Sequence, residues 1–180
     1  MSTLEYLGRK LESSDAEERR EAVIDLGRTG KGAVPLLLRA LGDTDWRVRK
    51  TAVEGLVSLG DDEVTNGLVQ RLSAEDNAGA RNSAIEALVQ IGAAAVAPIL
   101  SLLTTRDPDV RKFAVDVLGD IRDARAVPGL MEKLKDRDEN VRVAAAESLG
   151  KIRDRRSVDA LIGCLTANDQ SWLDYAAAEA

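Results

Sequence analysis

Two neighbouring stretches decide the fold: DPDVRKFAVDVLGDIRDARAVPGLMEKL (107–134) and DENVRVAAAESLGKIRDRRSVDALIGCL (138–165) are copies of one unit. The leucine that closes this unit recurs in steps of 30, 31, 31, 31 and 31, at Leu11, Leu41, Leu72, Leu103, Leu134 and Leu165. A second column follows the first by eight or nine positions, at Arg19, Arg49, Arg81, Arg111, Arg142 and Asp174. Two columns in register along the chain predict stacked structural repeats.

Each unit carries two amphipathic helix patterns and the residues that begin and end them. Apolar residues recur at helical spacing, and Asp107 and Asp138 stand where a helix N-cap is needed. Five glycines fall near the end of a first helix, where a left-handed cap is common: Gly30, Gly60, Gly92, Gly119 and Gly150. No strand-like alternation occurs, so the sequence predicts an all-α fold, an α-α superhelix of about five helix-pair repeats.

The repeat columns also predict how the chain is divided. We expect one domain over residues 1–180, with a half-repeat before the first complete unit and an incomplete unit after the last. The predicted parts are a half-repeat at 1–12, repeats at about 13–42, 43–73, 74–104, 105–135 and 136–166, and an incomplete repeat at 167–180. Because the last unit stops before its second helix, we expect this sequence to be part of a longer protein.

Composition excludes several classes of function. The 180 residues include 25 basic and 31 acidic side chains, for a net charge of -6, which disfavours general nucleic-acid binding. There is no histidine and a single cysteine, Cys164, so we predict no catalytic residue, no metal site and no cofactor. The chain starts without the apolar core of a signal peptide, and its longest weakly charged stretch, 83–105, is interrupted by Glu86 and Pro98. These features predict a cytoplasmic protein that does not bind membranes.

The repeat unit resembles a known family. The pattern D-x-x-V-R-x-x-A-x-x-x-L-G-x-I, followed by V-P-x-L-x-x-x-L, resembles the HEAT repeat, and more narrowly the short HEAT-like repeats of phycobilisome (bilin) lyase subunits. The resemblance covers essentially the whole chain. It implies a helical solenoid whose second helices line a concave face, which is the usual binding surface in this family.

Eight residues on the second helices point away from the apolar stripe and form the candidate concave face. They are Leu36, Arg39, Asn66, Gln70, Ser101, Leu102, Glu132 and Lys133. Such a mixed row could hold an extended peptide or a helix of a partner protein. A merely solvated face is the alternative.

The turns inside successive units predict a second candidate surface, which we call the basic edge. It consists of six residues from the last two complete units: Arg122, Arg125, Lys151, Arg153, Arg155 and Arg156. Stacked turns would gather these side chains into one patch that recognises carboxylate or phosphate groups of an acidic partner. The alternative is a solvated edge, partly neutralised by the aspartates between them.

Recurring Asp–Arg pairs favour an architectural role. Asp107–Arg111 and Asp138–Arg142 are spaced i, i+4 on one helix face, and their recurrence in successive units indicates a ladder that caps helices and fixes register. A catalytic site should interrupt the repeat instead of following it.

These observations predict a non-enzymatic scaffold that binds another, unidentified protein through the surface of the solenoid. Self-association through the uncapped C-terminal end is a further expectation. One alternative is an enzyme subunit of the bilin-lyase type, which the family resemblance implies. A nucleic-acid-binding HEAT-like protein is the less favoured alternative, because the chain is acidic.

Overall fold

The computed structural model describes residues 2–74, 77–166 and 178 of the chain. Helices fill these residues, and no strand occurs among them. The α-helices are α1 (Thr3–Lys10), α2 (Ala16–Thr29), α3 (Val34–Ala40), α4 (Trp46–Leu59), α5 (Asp62–Ala74), α6 (Ala78–Ile91), α7 (Val96–Leu100), α8 (Pro108–Ile121), α9 (Val127–Lys133), α10 (Glu139–Ile152) and α11 (Val158–Thr166). The predicted all-α solenoid of helix pairs is therefore confirmed.

Aspartates begin the first helix of four helix pairs, as the sequence predicts. Asp15, Asp45, Asp107 and Asp138 are the N-caps of α2, α4, α8 and α10, and each carboxylate accepts a hydrogen bond from the backbone N–H two residues later. This bond satisfies one of the donors that a helix start leaves without an intrahelical acceptor. The helix starts are therefore encoded locally.

The helix ends differ in part from the prediction. Gly30, Gly60 and Gly92 have positive φ, but Gly119 lies inside α8 and Gly150 lies inside α10. The left-handed caps of those two helices are arginines instead, Arg122 with φ of 57° and Arg153 with φ of 58°. Each helix continues for two residues beyond the glycine, so Gly119 lies inside α8 and is available for a helix contact.

The chain divides into two compact units, residues 1–91 and 92–180. In the first unit α2 packs on α4, α4 packs on α6, and the core contains the fully buried Leu26, Leu37, Leu56 and Leu68. Burial of these side chains is the main source of stability, since a single helix pair cannot cover its own apolar stripe. The single-domain organisation and the repeat boundaries stay a prediction.

In the second unit α8 and α10 form the main contact, supported by α7 and α9. Gly119 faces Ser148 across this contact, and the buried Ser148 hydroxyl donates to the carbonyl of Val115 at 3.0 Å. Leu118 and Leu149 are buried on either side of it. The missing Gly119 side chain thus lets α8 and α10 approach closely.

The recurring arginines pair with an aspartate of the following loop, and not with the aspartate four residues before them as predicted. Arg111 donates from Nε and Nη2 to the carboxylate of Asp136 at 2.9 and 2.7 Å, and its Nη1 donates to the carbonyl of Thr105 at 2.9 Å. Arg19 makes the equivalent fork to Asp43 at 2.7 and 2.8 Å. The i, i+4 aspartates are occupied as helix caps, so the arginines join the first helix to the loop that opens the next unit.

One described stretch, Ala78–Thr104, is long and apolar enough to cross a membrane by length and composition. It is interrupted at Gly92, where φ is +69° and a 3-10 turn over Gly92–Ala95 separates α6 from α7. Buried core helices pass the same test of length and hydropathy, so one such stretch is weak evidence for a membrane span.

Candidate functional site

A groove opens between α9 and α11 in the second unit. Its volume is about 890 Å³, and Val127, Met131, Ala160, Gly163 and Cys164 contribute apolar surface. Small residues on α11 create the space, because Gly163 has no side chain and a Cβ added there would meet no described atom within 4 Å. The groove is therefore an apolar cleft with room for a ligand.

Charged side chains stand at the rim of this groove: Glu132, Lys135 and Arg156. Arg156 donates from Nε and Nη2 to both carboxylate oxygens of Asp154, at 2.9 and 2.7 Å, and from Nη2 to the carbonyl of Ala124 at 2.8 Å. The hydrogen bond from Arg156 lowers the pKa of Asp154 to about 2, so the carboxylate stays ionised at neutral pH. The rim thus combines one fixed guanidinium with a lysine and a glutamate.

Met131 follows the buried Leu130 on α9, and the structure leaves it half-buried in the groove wall. Nothing in the spacing of α9 distinguishes a core position from a groove position there. The signal lies on the facing helix, where Ala160 and Gly163 occur one turn apart. Small residues at that spacing leave space opposite a larger side chain.

The candidate concave residues of the first unit have mixed environments. Asn66 and Gln70 are exposed, and Leu36 is half-buried next to Gly8. Arg39 is exposed, and its guanidinium group donates to the carbonyl of Gly8 at 3.0 Å and forms an ion pair with Glu12 at 3.7 Å.

In the second unit two of the candidate concave residues are turned inward. Leu102 is only 8% exposed, because residues 101–104 tighten into a 3-10 turn that directs it into the core. Lys133 keeps 16% of its side chain exposed and pairs with the buried Asp136 at 3.5 Å. Neither is available to a partner, whereas Ser101 and Glu132 are exposed. A binding role for the remaining residues stays a prediction.

Five of the six basic-edge residues lie in the turns that follow α8 and α10, and Lys151 lies in the last turn of α10. Arg125 forms an ion pair with Asp123, and Arg156 forms one with Asp154. Lys151 forms an ion pair with Asp120 at 2.8 Å. The other three residues, Arg122, Arg153 and Arg155, are exposed. None of these three forms an ion pair within the part of the chain that the structure describes.

The predicted self-association concerns the end of the chain. The predicted incomplete repeat at 167–180 lies outside the described residues except for residue 178. Val158 and Ile162 on α11 are 47% and 52% exposed. Self-association stays a prediction.

The stacked helix pairs of the two units define a class, the α-helical repeat proteins. The family model for HEAT repeats matches residues 4–89 and 96–180, and the model for the PBS lyase HEAT-like repeat matches residues 80–105. The chain belongs to the HEAT repeat family.

One curated relative and two solved structures are similar to this chain. The phycocyanobilin lyase subunit beta of Thermosynechococcus vestitus is 36% identical over 113 residues, which is 61% of this chain and 52% of the relative. The chain thus spans about half the length of the curated relative that it matches. A crystal structure of an engineered protein is 26% identical with a TM-score of 0.51, over 99% of this chain and 95% of that chain. Human deoxyhypusine hydroxylase in complex with glycerol is 21% identical with a TM-score of 0.52, over 97% and 82%, a likeness of fold alone.

These comparisons correct one prediction. The expectation that the chain is not an enzyme is wrong, because the curated relative is a subunit of phycocyanobilin lyase, which points to lyase-related activity. The sequence argument failed because it searched this chain for a complete set of catalytic side chains. An enzyme subunit needs to supply only part of a site.

Proposed function

We propose that this chain is the repeat subunit of a bilin-lyase-type enzyme and acts together with a second protein subunit. The observation that carries the proposal is the 36% identity over 113 residues to a subunit of phycocyanobilin lyase. The match of residues 80–105 to the PBS lyase HEAT-like repeat supports it. The cytoplasm is the proposed location.

The groove between α9 and α11 is the proposed pigment site. Phycocyanobilin is an open-chain tetrapyrrole with an apolar conjugated body and two propionate carboxylates. Small-molecule sites are mostly apolar clefts of about 300–1,000 Å³ with a few polar groups that fix orientation. The groove volume of about 890 Å³ lies in this range. In this proposal Met131 and Ala160 contact the conjugated body, and Lys135 and Arg156 bind the propionates.

Arg156 suits this role because its orientation and charge are both fixed. Its Nε and Nη2 atoms are occupied by Asp154 and the Ala124 carbonyl, and that hydrogen bonding raises its pKa above the ordinary arginine value. Among the described residues, Nη1 has no hydrogen-bond partner. Two N–H donors therefore remain for a carboxylate.

The chain's part in the reaction is to bind and orient the pigment. The apolar wall excludes water from the conjugated body, and the rim cations set the direction in which it lies. The second subunit contributes the remaining groups, which accords with a chain that lacks histidine.

Filling the groove tests the proposal. Gly163→Leu places a large side chain into the groove, since a Cβ there meets nothing within 4 Å among residues 77–166. We expect phycocyanobilin binding, followed by its visible absorption, to weaken at least about tenfold, because the pigment loses about 1.4 kcal/mol or more of contact. Gly163→Ala is the matched control: it makes the same change of helix propensity and leaves most of the groove open.

Three results would contradict the proposal. The first is a wild-type chain that does not perturb the pigment spectrum, and the second is a Gly163→Leu variant that binds the pigment as wild type does. The third is an equal loss in the alanine control. Circular dichroism confirms that both variants keep the helical fold, so that a loss of binding reports on the groove.

A further inference from the structure

The basic edge carries positive charge that the chain itself does not neutralise. Three aspartates lie among the basic-edge residues, and each forms an ion pair with one of them: Asp120 with Lys151, Asp123 with Arg125 and Asp154 with Arg156. Three arginines remain, which we call the free arginines of the edge: Arg122, Arg153 and Arg155. A patch with three uncompensated guanidinium groups thus exists on a chain whose net charge is -6.

Two of these arginines occupy a backbone conformation that favours glycine. Arg122 and Arg153 have φ of 57° and 58°, and each donates its N–H to the carbonyl four residues earlier. Gly60 is the equivalent left-handed cap at the end of α4, with φ of 54° and an N–H that donates to the carbonyl of Leu56. Left-handed backbone costs a residue with a Cβ about 1 kcal/mol relative to glycine. A cation at a helix C-terminus recovers only part of that cost.

We propose that Arg122, Arg153 and Arg155 form a docking surface for an acidic segment of a partner protein, with carboxylates as the recognised groups. The proposal goes beyond the pigment groove, because it assigns a separate surface and a different kind of ligand. Planar guanidinium groups bind carboxylates through two parallel hydrogen bonds. Each free arginine of the edge therefore offers one carboxylate-binding fork.

The spacing of the arginines favours a peptide segment. Arg122 and Arg153 end α8 and α10, which pack against each other, and the axes of packed helices lie about 8–10 Å apart. In a segment with polyproline II backbone, which has three residues per turn, acidic residues three positions apart lie on the same face and are separated by about 9 Å. A segment with two carboxylates at that spacing matches the two caps, and Arg155 in the adjacent turn can bind a third.

A nucleic acid fits this surface less well. Binding to a duplex typically engages about 6–10 phosphates, and the basic edge offers three arginines that form no ion pair with the described residues. The net charge of -6 would also repel a long polyanion away from the patch. A short acidic segment meets the patch without extending over the acidic remainder.

The test uses a fluorescein-labelled deca-glutamate peptide and the whole chain at low ionic strength, followed by fluorescence anisotropy. We expect wild type to bind the peptide and the triple variant Arg122→Gly, Arg153→Gly, Arg155→Ser to bind at least about tenfold more weakly. The two glycines relieve the positive φ, so the fold is retained. The matched control Arg9→Ser, Lys10→Ser, Arg28→Ser removes the same number of charges from the first unit and should bind within about twofold of wild type.

Equal weakening in the triple variant and the charge-matched control would overturn the proposal, because net charge alone would then explain binding. So would a triple variant that binds as wild type does. Polyphosphate or duplex DNA that displaces the peptide at lower concentration than unlabelled deca-glutamate would overturn the assignment to carboxylates. The pigment assay separates the two proposals, since the triple variant should bind phycocyanobilin normally and Gly163→Leu should bind the peptide normally.

Discussion

The ion pair between Arg111 and Asp136 shows at the scale of single residues how the repeats are joined. Arg111 is 3% exposed and the Asp136 side chain 5%, so both charges are withdrawn from water. Burial by itself would raise the pKa of Asp136, but hydrogen bonds from Arg111 and from the backbone of Asp138 hold it below its usual range. Breaking such a pair leaves a buried charge without a partner.

Asp136→Asn should therefore lower the free energy of unfolding by about 3 kcal/mol at neutral pH. Because the folded-state pKa of Asp136 is depressed, the contribution of the pair is fully present above the unfolded-state value of about 4 and is lost as the pH falls below it. Urea unfolding between neutral pH and about pH 2 should show the difference between wild type and variant shrinking on acidification. Asp159→Asn is the control, since Asp159 is exposed and forms no ion pair among residues 77–166. A constant difference at all pH values would contradict the interpretation.

At the scale of helices, the close approach of α8 and α10 depends on one missing side chain. A Cβ on Gly119 would lie 2.4 Å from the Ser148 Oγ and 2.9 Å from the Ser148 Cα. The second distance involves backbone, so the helices would have to move apart. The hydrogen bond from Ser148 to the Val115 carbonyl lies in the same contact.

Gly119→Ala should accordingly lower the free energy of unfolding by about 2 kcal/mol, although alanine is the better helix former. Gly163→Ala makes the same chemical change on α11 in open space and should be neutral or stabilising by up to about 1 kcal/mol. Thermal or urea unfolding measures both. If the two variants change the free energy of unfolding equally, a clash between the Gly119→Ala side chain and Ser148 does not explain the effect.

At the scale of the whole molecule, the division into units 1–91 and 92–180 predicts local responses to damage. Repeat proteins owe their stability to contacts between neighbouring elements, so a cavity destabilises its own surroundings first. Leu26 in the first unit and Leu118 in the second are both fully buried. Truncation of either to alanine should cost about 2–5 kcal/mol.

Amide hydrogen exchange distinguishes local from global destabilisation. Leu118→Ala should speed exchange in α8 and α10 while α2 and α4 keep most of their protection. Leu26→Ala is the reciprocal control and should give the opposite pattern. Equal loss of protection in both units for either variant would show that the chain unfolds as one cooperative body.

The features that the sequence alone determined are those set by atoms close together along the chain. The repeat period, the two helices of each unit and the aspartate caps follow from side chains within a turn of the backbone groups that they bind. The leucine column likewise identifies a stack of helix pairs, because only stacking buries the apolar stripe of each pair.

Tertiary structure decided the features that depend on how one helix lies against the next. Arg111 reaches Asp136, 25 positions away, instead of the aspartate four residues before it. Gly119 serves a helix contact, and the left-handed cap falls on Arg122 three residues later. The groove lies between Met131 on α9 and the small residues Ala160 and Gly163 on α11. Such pairings are set by packing distances of a few ångströms between helices, and no local pattern in the sequence specifies them.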